Sequence, residues 1–223
     1  MSYFIANWKQ NLSIKEVEDW RDHFSFPPSQ NTRVIVAAPH IHLPLLQGQK
    51  QLSLAAQNVS PFENGAHTGQ VGASQLKDLV EFCIVGHSET RKELGDTDHT
   101  VAQKVRLLQQ ANITPIICVD QPYLESQIRT LLLELLEIKN VIFAYEPAAS
   151  IGTGRADSPQ RANEIAFKIT TLAHNRSLPI IYGGSVDHLN VDDFITQDYL
   201  SGVLVGSASL DPEEFAKIIR HQQ

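Results

Sequence analysis

Eight short apolar runs recur along the 223-residue chain: YFIANWK, RVIVAAP, LSLAAQN, FCIVGH, TPIICVD, NVIFAYEP, LPIIYGG and GVLVGSA. They are rich in Val, Ile and Ala and are continuous rather than alternating, as expected of strands covered on both faces. Most are followed by a stretch in which apolar positions return with helical spacing, for example Thr97 to Ala111 and Ser158 to Arg176. Helix starts are marked locally. Asp157-Ser158-Pro159 offers a cap and a proline for the first turn, and Leu210-Asp211-Pro212-Glu213-Glu214 repeats the device for the last helix.

The pattern predicts repeated βα units, spaced roughly thirty residues apart. No Pro/Ser linker or charge block interrupts them, so residues 1–223 are expected to form one domain. Two closures fit: an open, doubly wound sheet or a (β/α)8 barrel. An open sheet usually marks its nucleotide site with G-x-G-x-x-G after the first strand, whereas here that strand runs into NWKQN without a glycine. The barrel is therefore the favoured α/β architecture.

In a barrel, chemistry belongs at the C-terminal ends of the strands, and unusual polar residues stand in that register. Asn7 and Lys9 end the first run, Gln57 and Asn58 the third, His87 the fourth, Glu146 the sixth, and Tyr182 to Ser185 the seventh. Taken singly, each has an ordinary explanation: a satisfied loop asparagine, a solvated lysine, a core histidine, a structural ion pair. Their convergence on one rim does not. The glycine-rich stretches IGTG, YGGS and VGSAS after runs six, seven and eight expose backbone amides where such barrels commonly bind phosphate.

Charge narrows the ligand further. The formal net charge is -7, with scattered Lys and Arg, which argues against a basic face for nucleic acid or an anionic membrane. An anion must then be held locally, by amide dipoles. No run approaches a membrane span, Met1 to Trp8 lacks the features of a secretory signal, and a cytoplasmic location is expected. Cys83 and Cys118 sit in strand-like runs and read as buried, reduced thiols. The nine histidines form no metal-ligand spacing, so neither a metal nor another cofactor is expected.

ANWK, VGHSE, AYEP…IGTG, YGGSV and LVGSASLDP, in this order and at these spacings, resemble the triosephosphate isomerase family. The similarity runs end to end and includes AQN (Ala56 to Asn58) and GAHTGQVGASQLKD, which is similar to that family's dimerisation loop. The resemblance implies a TIM barrel that interconverts dihydroxyacetone phosphate and D-glyceraldehyde 3-phosphate through an enediolate, a step of glycolysis and gluconeogenesis. It implies Glu146 as general base, His87 as neutral electrophile, Lys9 as the cation that holds substrate, and Asn7 as a pocket residue. Gly152, Ser185, Gly206 and Ser207 match the phosphate-binding positions. The family's handling of this chemistry by pKa tuning and loop closure is a standard example. It further implies a homodimer through the loop around Thr68, with a tetramer as second choice. Another sugar-phosphate barrel enzyme, or a sugar-phosphate-binding barrel without activity, is the alternative. A Schiff-base enzyme would need a lysine near the sixth strand, where Glu146 stands.

Several positions depart from the family pattern. Ala149 replaces a tryptophan at the hinge of the lid that follows Glu146, and Gln121 replaces its acidic partner, which together predict a looser hinge. Gln70 and Thr90 replace a Glu and an Arg that would pair across the dimer interface. Ser207 replaces a glycine, with strain of about 1 kcal/mol if its φ is positive. The connection between IICVD and VIFAYEP is short.

Overall fold

A computed structural model of the protein describes residues 1–27, 29–135, 137–150 and 153–220. Eight parallel strands follow one another around a closed ring: β1 (Ser2–Asn7), β2 (Thr32–Ala38), β3 (Ser53–Ala56), β4 (Phe82–Val85), β5 (Thr114–Val119), β6 (Ile142–Tyr145), β7 (Ile180–Gly183) and β8 (Gly202–Val205). The pairing of β1 with both β2 and β8 removes the open sheet from consideration.

The ring closes at a tight seam. Tyr3 lies opposite Gly202, and its amide donates to the Ser201 carbonyl at 2.8 Å. Gly202 has φ 145°, and a Cβ there would stand 1.9 Å from the Tyr3 oxygen, so no other residue lets the strands meet this closely.

Helices cover the outside: α1 (Ile14–His23), α2 (Ala73–Leu76), α3 (Ser88–Leu94), α4 (Asp98–Gln110), α5 (Leu124–Leu135), α6 (Pro159–Leu172), α7 (Val191–Ile195) and α8 (Pro212–Arg220). Their starts follow local chemistry. Ser13 and Glu16 form a reciprocal capping box at α1, Thr97 caps α4, and Ser158 caps α6 with Pro159 in the first turn. The helical pattern read to Arg176 ends earlier, with Ala173 at the C-cap and His174 at φ 51°. After β2 there is a 3₁₀ helix (His40–Leu46) containing Pro44 instead of an α-helix.

Strand alternation divides the core in two. Ile5, Ile35, Ile84, Ile116, Ile142, Ile181 and Leu204 fill the barrel, with Ala37, Ala55 and Ala144 keeping its interior narrow. Phe4, Val36, Phe143, Tyr145, Tyr182 and Val203 point outward against the helices. The same period of two carries Asn7 after Ile5, and Glu146 after Ile142 and Ala144, into the mouth at the C-terminal end. Among the described residues, no helix is long and apolar enough to cross a membrane.

Candidate active site

At that mouth, a cavity of about 270 Å³ is lined by Asn7, Lys9, His87, Glu146, Ser185, Gly206 and Ser207, together with Gly154, Gly183 and Gly184. Seven of the eight site residues read from the sequence thus share one cleft; Gly152 lies outside the described residues.

Each arrives by a local device. Lys9 sits two residues beyond β1 at φ 52°, an unfavourable conformation for a lysine, and the Gln57 side-chain amide holds its carbonyl at 3.0 Å. The Asn7 side chain accepts from the Lys9 amide at 3.1 Å. His87 would point outward if the alternation of β4 continued. Gly86, at φ 67°, breaks it, and His87 becomes the N-cap of α3. A Cβ on Gly86 would meet Val101 Cγ2 at 2.9 Å, so glycine is required there by both conformation and space.

The proton on His87 can be assigned. The Glu89 amide donates to His87 Nδ1 at 3.2 Å, so Nδ1 carries the lone pair and Nε2 the hydrogen in the neutral ring. The Glu89 carboxylate, at 3.5 Å from Nδ1, is too distant to compete. Nε2 stands 3.4 Å from Glu146 Oε1. The Glu146 side chain is 4% exposed, and its Oε2 has no hydrogen-bond partner among the described residues. Burial holds the Glu146 carboxyl above the usual carboxylate range, opposed by the neighbouring His87, a hydrogen bond from Cys118 and the charge of Lys9. Room for the carboxylate comes from Gly183, where a Cβ would lie 3.0 Å from Glu146 Cγ.

Lys9 Nζ is bonded to Glu89 at 2.6 Å and remains partly exposed. Ser185 (φ 49°) donates its hydroxyl to the Ser150 carbonyl at 2.6 Å, joining the loop after β7 to the segment after Glu146. Ser207 opens a 3₁₀ helix (Ser207–Leu210) and is not among the positive-φ residues, so the strain considered for it is absent. Asp187 also borders the cavity, but its Oδ1 accepts from the amides of Leu189 and Asn190.

Three polar strand-end residues support the site from outside it. Gln57 bonds the carbonyls of Lys9 and Ala37. Asn58 accepts from buried Lys104 at 2.8 Å, and Lys104 also meets both oxygens of Asp96, at 2.6 and 2.8 Å. Tyr182 turns its hydroxyl outward, where the Asp157 amide donates to it at 2.7 Å. The sequence reading missed Glu89, although its place in the first turn after His87 was a signal, and it missed Asp157 and Lys104, whose partners are distant in the chain.

A buried carboxylate facing an imidazole N–H, a nearby ammonium and a glycine-lined pocket can move a proton on a carbon acid while holding an anionic tail. The sequence model of the triosephosphate isomerase family matches residues 2–222. The chain belongs to the triosephosphate isomerase family. A triosephosphate isomerase of Synechococcus sp. (strain JA-2-3B'a(2-13)) is 36% identical over 97% of this chain and 95% of its own. Those of Trichodesmium erythraeum (strain IMS101) and Mesomycoplasma hyopneumoniae (strain 7448) are 36% and 34% identical, over 97% and 96% of this chain and 97% of their own. Triosephosphate isomerase membership fits the closed barrel and the order in which its strands deliver the polar residues.

Proposed function

We propose that the protein interconverts dihydroxyacetone phosphate and D-glyceraldehyde 3-phosphate, the single observation in support being Glu146 and His87 facing each other at 3.4 Å within one glycine-lined cleft. In this reading Glu146 Oε2, buried and without a partner, takes a proton from the carbon beside the substrate carbonyl and returns it to the neighbouring carbon. His87 Nε2–H and Lys9 Nζ stabilise the oxygens on which enediolate charge develops, and Asn7 lines the same wall. The backbone of Gly152, Ser185, Gly206 and Ser207 holds the phosphate, which accommodates a dianion in a chain of acidic net charge. No step calls for a cofactor.

Burial serves this chemistry. A carboxylate stripped of water is a stronger base toward a weak carbon acid than a solvated one, and its raised proton affinity is the thermodynamic expression of that difference.

The reading includes one catalytic unit over residues 1–223, a cytoplasmic location and a homodimer joined by the loop around Thr68. Support for the dimer comes from residues 62–70, all exposed, with Phe62 stacked on His67 at 4.4 Å and 49% exposed. A coupled assay with glyceraldehyde 3-phosphate tests the activity: turnover that Glu146→Gln abolishes is expected, and no turnover by the wild type retires the reading.

A further inference from the structure

Arg161, Gln121, Tyr145 and Asp157 form a polar chain beside the end of β6. Arg161 Nη2 donates to Gln121 Oε1 at 2.7 Å, Gln121 Nε2 to the Tyr145 hydroxyl at 2.9 Å, and that hydroxyl to Asp157 Oδ2 at 3.1 Å. Each link has one polarity, running from a cation to an anion, so the Gln121 amide has a single orientation that satisfies both neighbours. Asp157 is held in two further directions: Oδ1 accepts from the Ser158 amide at 2.8 Å, and its own amide donates to Tyr182 at 2.7 Å.

These contacts bracket the segment that follows the base. Tyr145 precedes Glu146 directly, and Asp157 is the last residue before the cap of α6. At the other end, Asp120 Oδ2 accepts from the Ala148 amide at 3.1 Å and Ser185 holds the Ser150 carbonyl. The Tyr182 hydroxyl also interacts with the Ser150 side chain, so one buried phenol meets both stems. Gly184 lets the stems approach, since a Cβ there would lie 2.7 Å from that hydroxyl and 3.1 Å from Ser150 Cβ.

We propose that Asp157, through Tyr145, is a positioning residue for the isomerisation: its carboxylate ties residues 153–157, of which Gly154 lines the cleft, to the end of β6 and so limits the access of water to the enediolate. The inference rests on the isomerase reading above. Its chemical consequence follows from the intermediate. In an exposed enediolate phosphate, an oxygen pair on C1 becomes a carbonyl, the C1–C2 π pair moves to C2–C3, and the C3–O bond pair leaves with inorganic phosphate. The remaining enol tautomerises to a dicarbonyl, with no oxidant or reductant required. A loosened stem therefore shows as phosphate release per isomerisation, which a general loss of folded protein does not change.

The polarity of the chain yields a second, sharper expectation. A carboxylate at position 121 would accept the Tyr145 proton itself, leaving Asp157 without its donor. Gln121→Glu should thus be harmful beside Asp157 and neutral or beneficial beside Asp157→Ala.

The test measures isomerase turnover and inorganic phosphate release with glyceraldehyde 3-phosphate. Asp157→Ala and Tyr145→Phe should each raise phosphate released per turnover by about tenfold or more, with no further rise in the double variant. Asp157→Asn, which keeps an acceptor oxygen, should stay within about threefold of the wild type. Unchanged partitioning in both single variants, or independent effects in the double, overturns the proposal. If Asp157→Ala does not fold, Tyr145→Phe and Gln121→Glu decide, because a Gln121→Glu protein with wild-type partitioning contradicts the competition for one proton. A wild type without isomerase turnover fails the reading beneath, and this inference with it; an active wild type beside unaffected variants fails the inference alone.

Discussion

His87 Nε2 faces Glu146 Oε1 at 3.4 Å, although the two residues come from strands on different sides of β5. The imidazole is oriented from behind by the Glu89 amide, while Glu146 leaves Oε2 buried and unbonded. Such an arrangement spends folding stability on reactivity, because a desolvated carboxylate without a full set of donors opposes folding whenever it is ionised.

Glu146→Gln should lower kcat by at least about a thousandfold while raising the melting temperature near neutral pH. The folded-state pKa of Glu146 is raised, so its favourable contribution is present below the unfolded-state value and is lost as pH rises through the folded-state value. The stabilisation by Gln should accordingly shrink as pH falls through the folded-state value and be largely gone by about pH 4.5. Calorimetric melting of both proteins across that range, beside the isomerase assay, is the check.

The acid limb of kcat/KM should report the same group. It should fall with an apparent pKa above 4.5, since burial outweighs the opposing influences of His87, Cys118 and Lys9. A limb at or below the ordinary carboxylate value would show that the free enzyme keeps Glu146 more hydrated than its surroundings here allow.

Gly183→Ala should leave the fold largely intact and displace the base. The new methyl would press on Glu146 Cγ at 3.0 Å and Oε1 at 3.3 Å. Misplacement on this scale costs on the order of a hundredfold in turnover, against a small change in melting temperature. Steady-state kinetics together with thermal denaturation separate the two effects.

Asp96→Ala tests the support behind β3. Lys104 is 3% exposed and Asp96 8%, so removing the carboxylate leaves a buried ammonium with Asn58 Oδ1 as its remaining hydrogen-bond partner among the described residues. Breaking a pair of this kind costs about 3–5 kcal/mol, which for a chain of this size lowers the melting temperature by about 10 °C. Denaturant titration of wild type and variant measures it.

Size-exclusion chromatography with light scattering should give twice the chain mass for the wild type. Thr68→Glu, placing a charge at the tip of the exposed loop, should shift the protein toward the mass of one chain. A wild type that elutes as a single chain would remove the dimer from the functional reading.

The barrel was legible because its signals are local and repeated: β-branched runs, Ser and Thr caps, and prolines in first turns all survive in one dimension. Asn7 and Glu146 were legible because each is a polar residue closing an apolar run; that alternation carries them inward from Ile5 and Ala144 shows only in the barrel. His87 was found by its place at a strand end, yet the left-handed turn at Gly86 that redirects it had no clear sequence signature. The network of Asp157, Tyr145, Gln121 and Arg161 was hidden, since it depends on which strand tops become neighbours and on the direction of each hydrogen bond. Reading Ala149 and Gln121 as losses alone overlooked that Gln121 binds two partners.

The close meeting of Tyr3 with Gly202 has a consequence for how this catalyst comes into being. Lys9 is delivered by the first strand and Ser207 by the last, so the two walls of the cleft become adjacent only when that final junction zips shut. A nascent chain emerging from the ribosome carries its ammonium, imidazole and carboxylate before the residues that complete the cleft have been made, so that cleft is whole only once the eighth strand is in place.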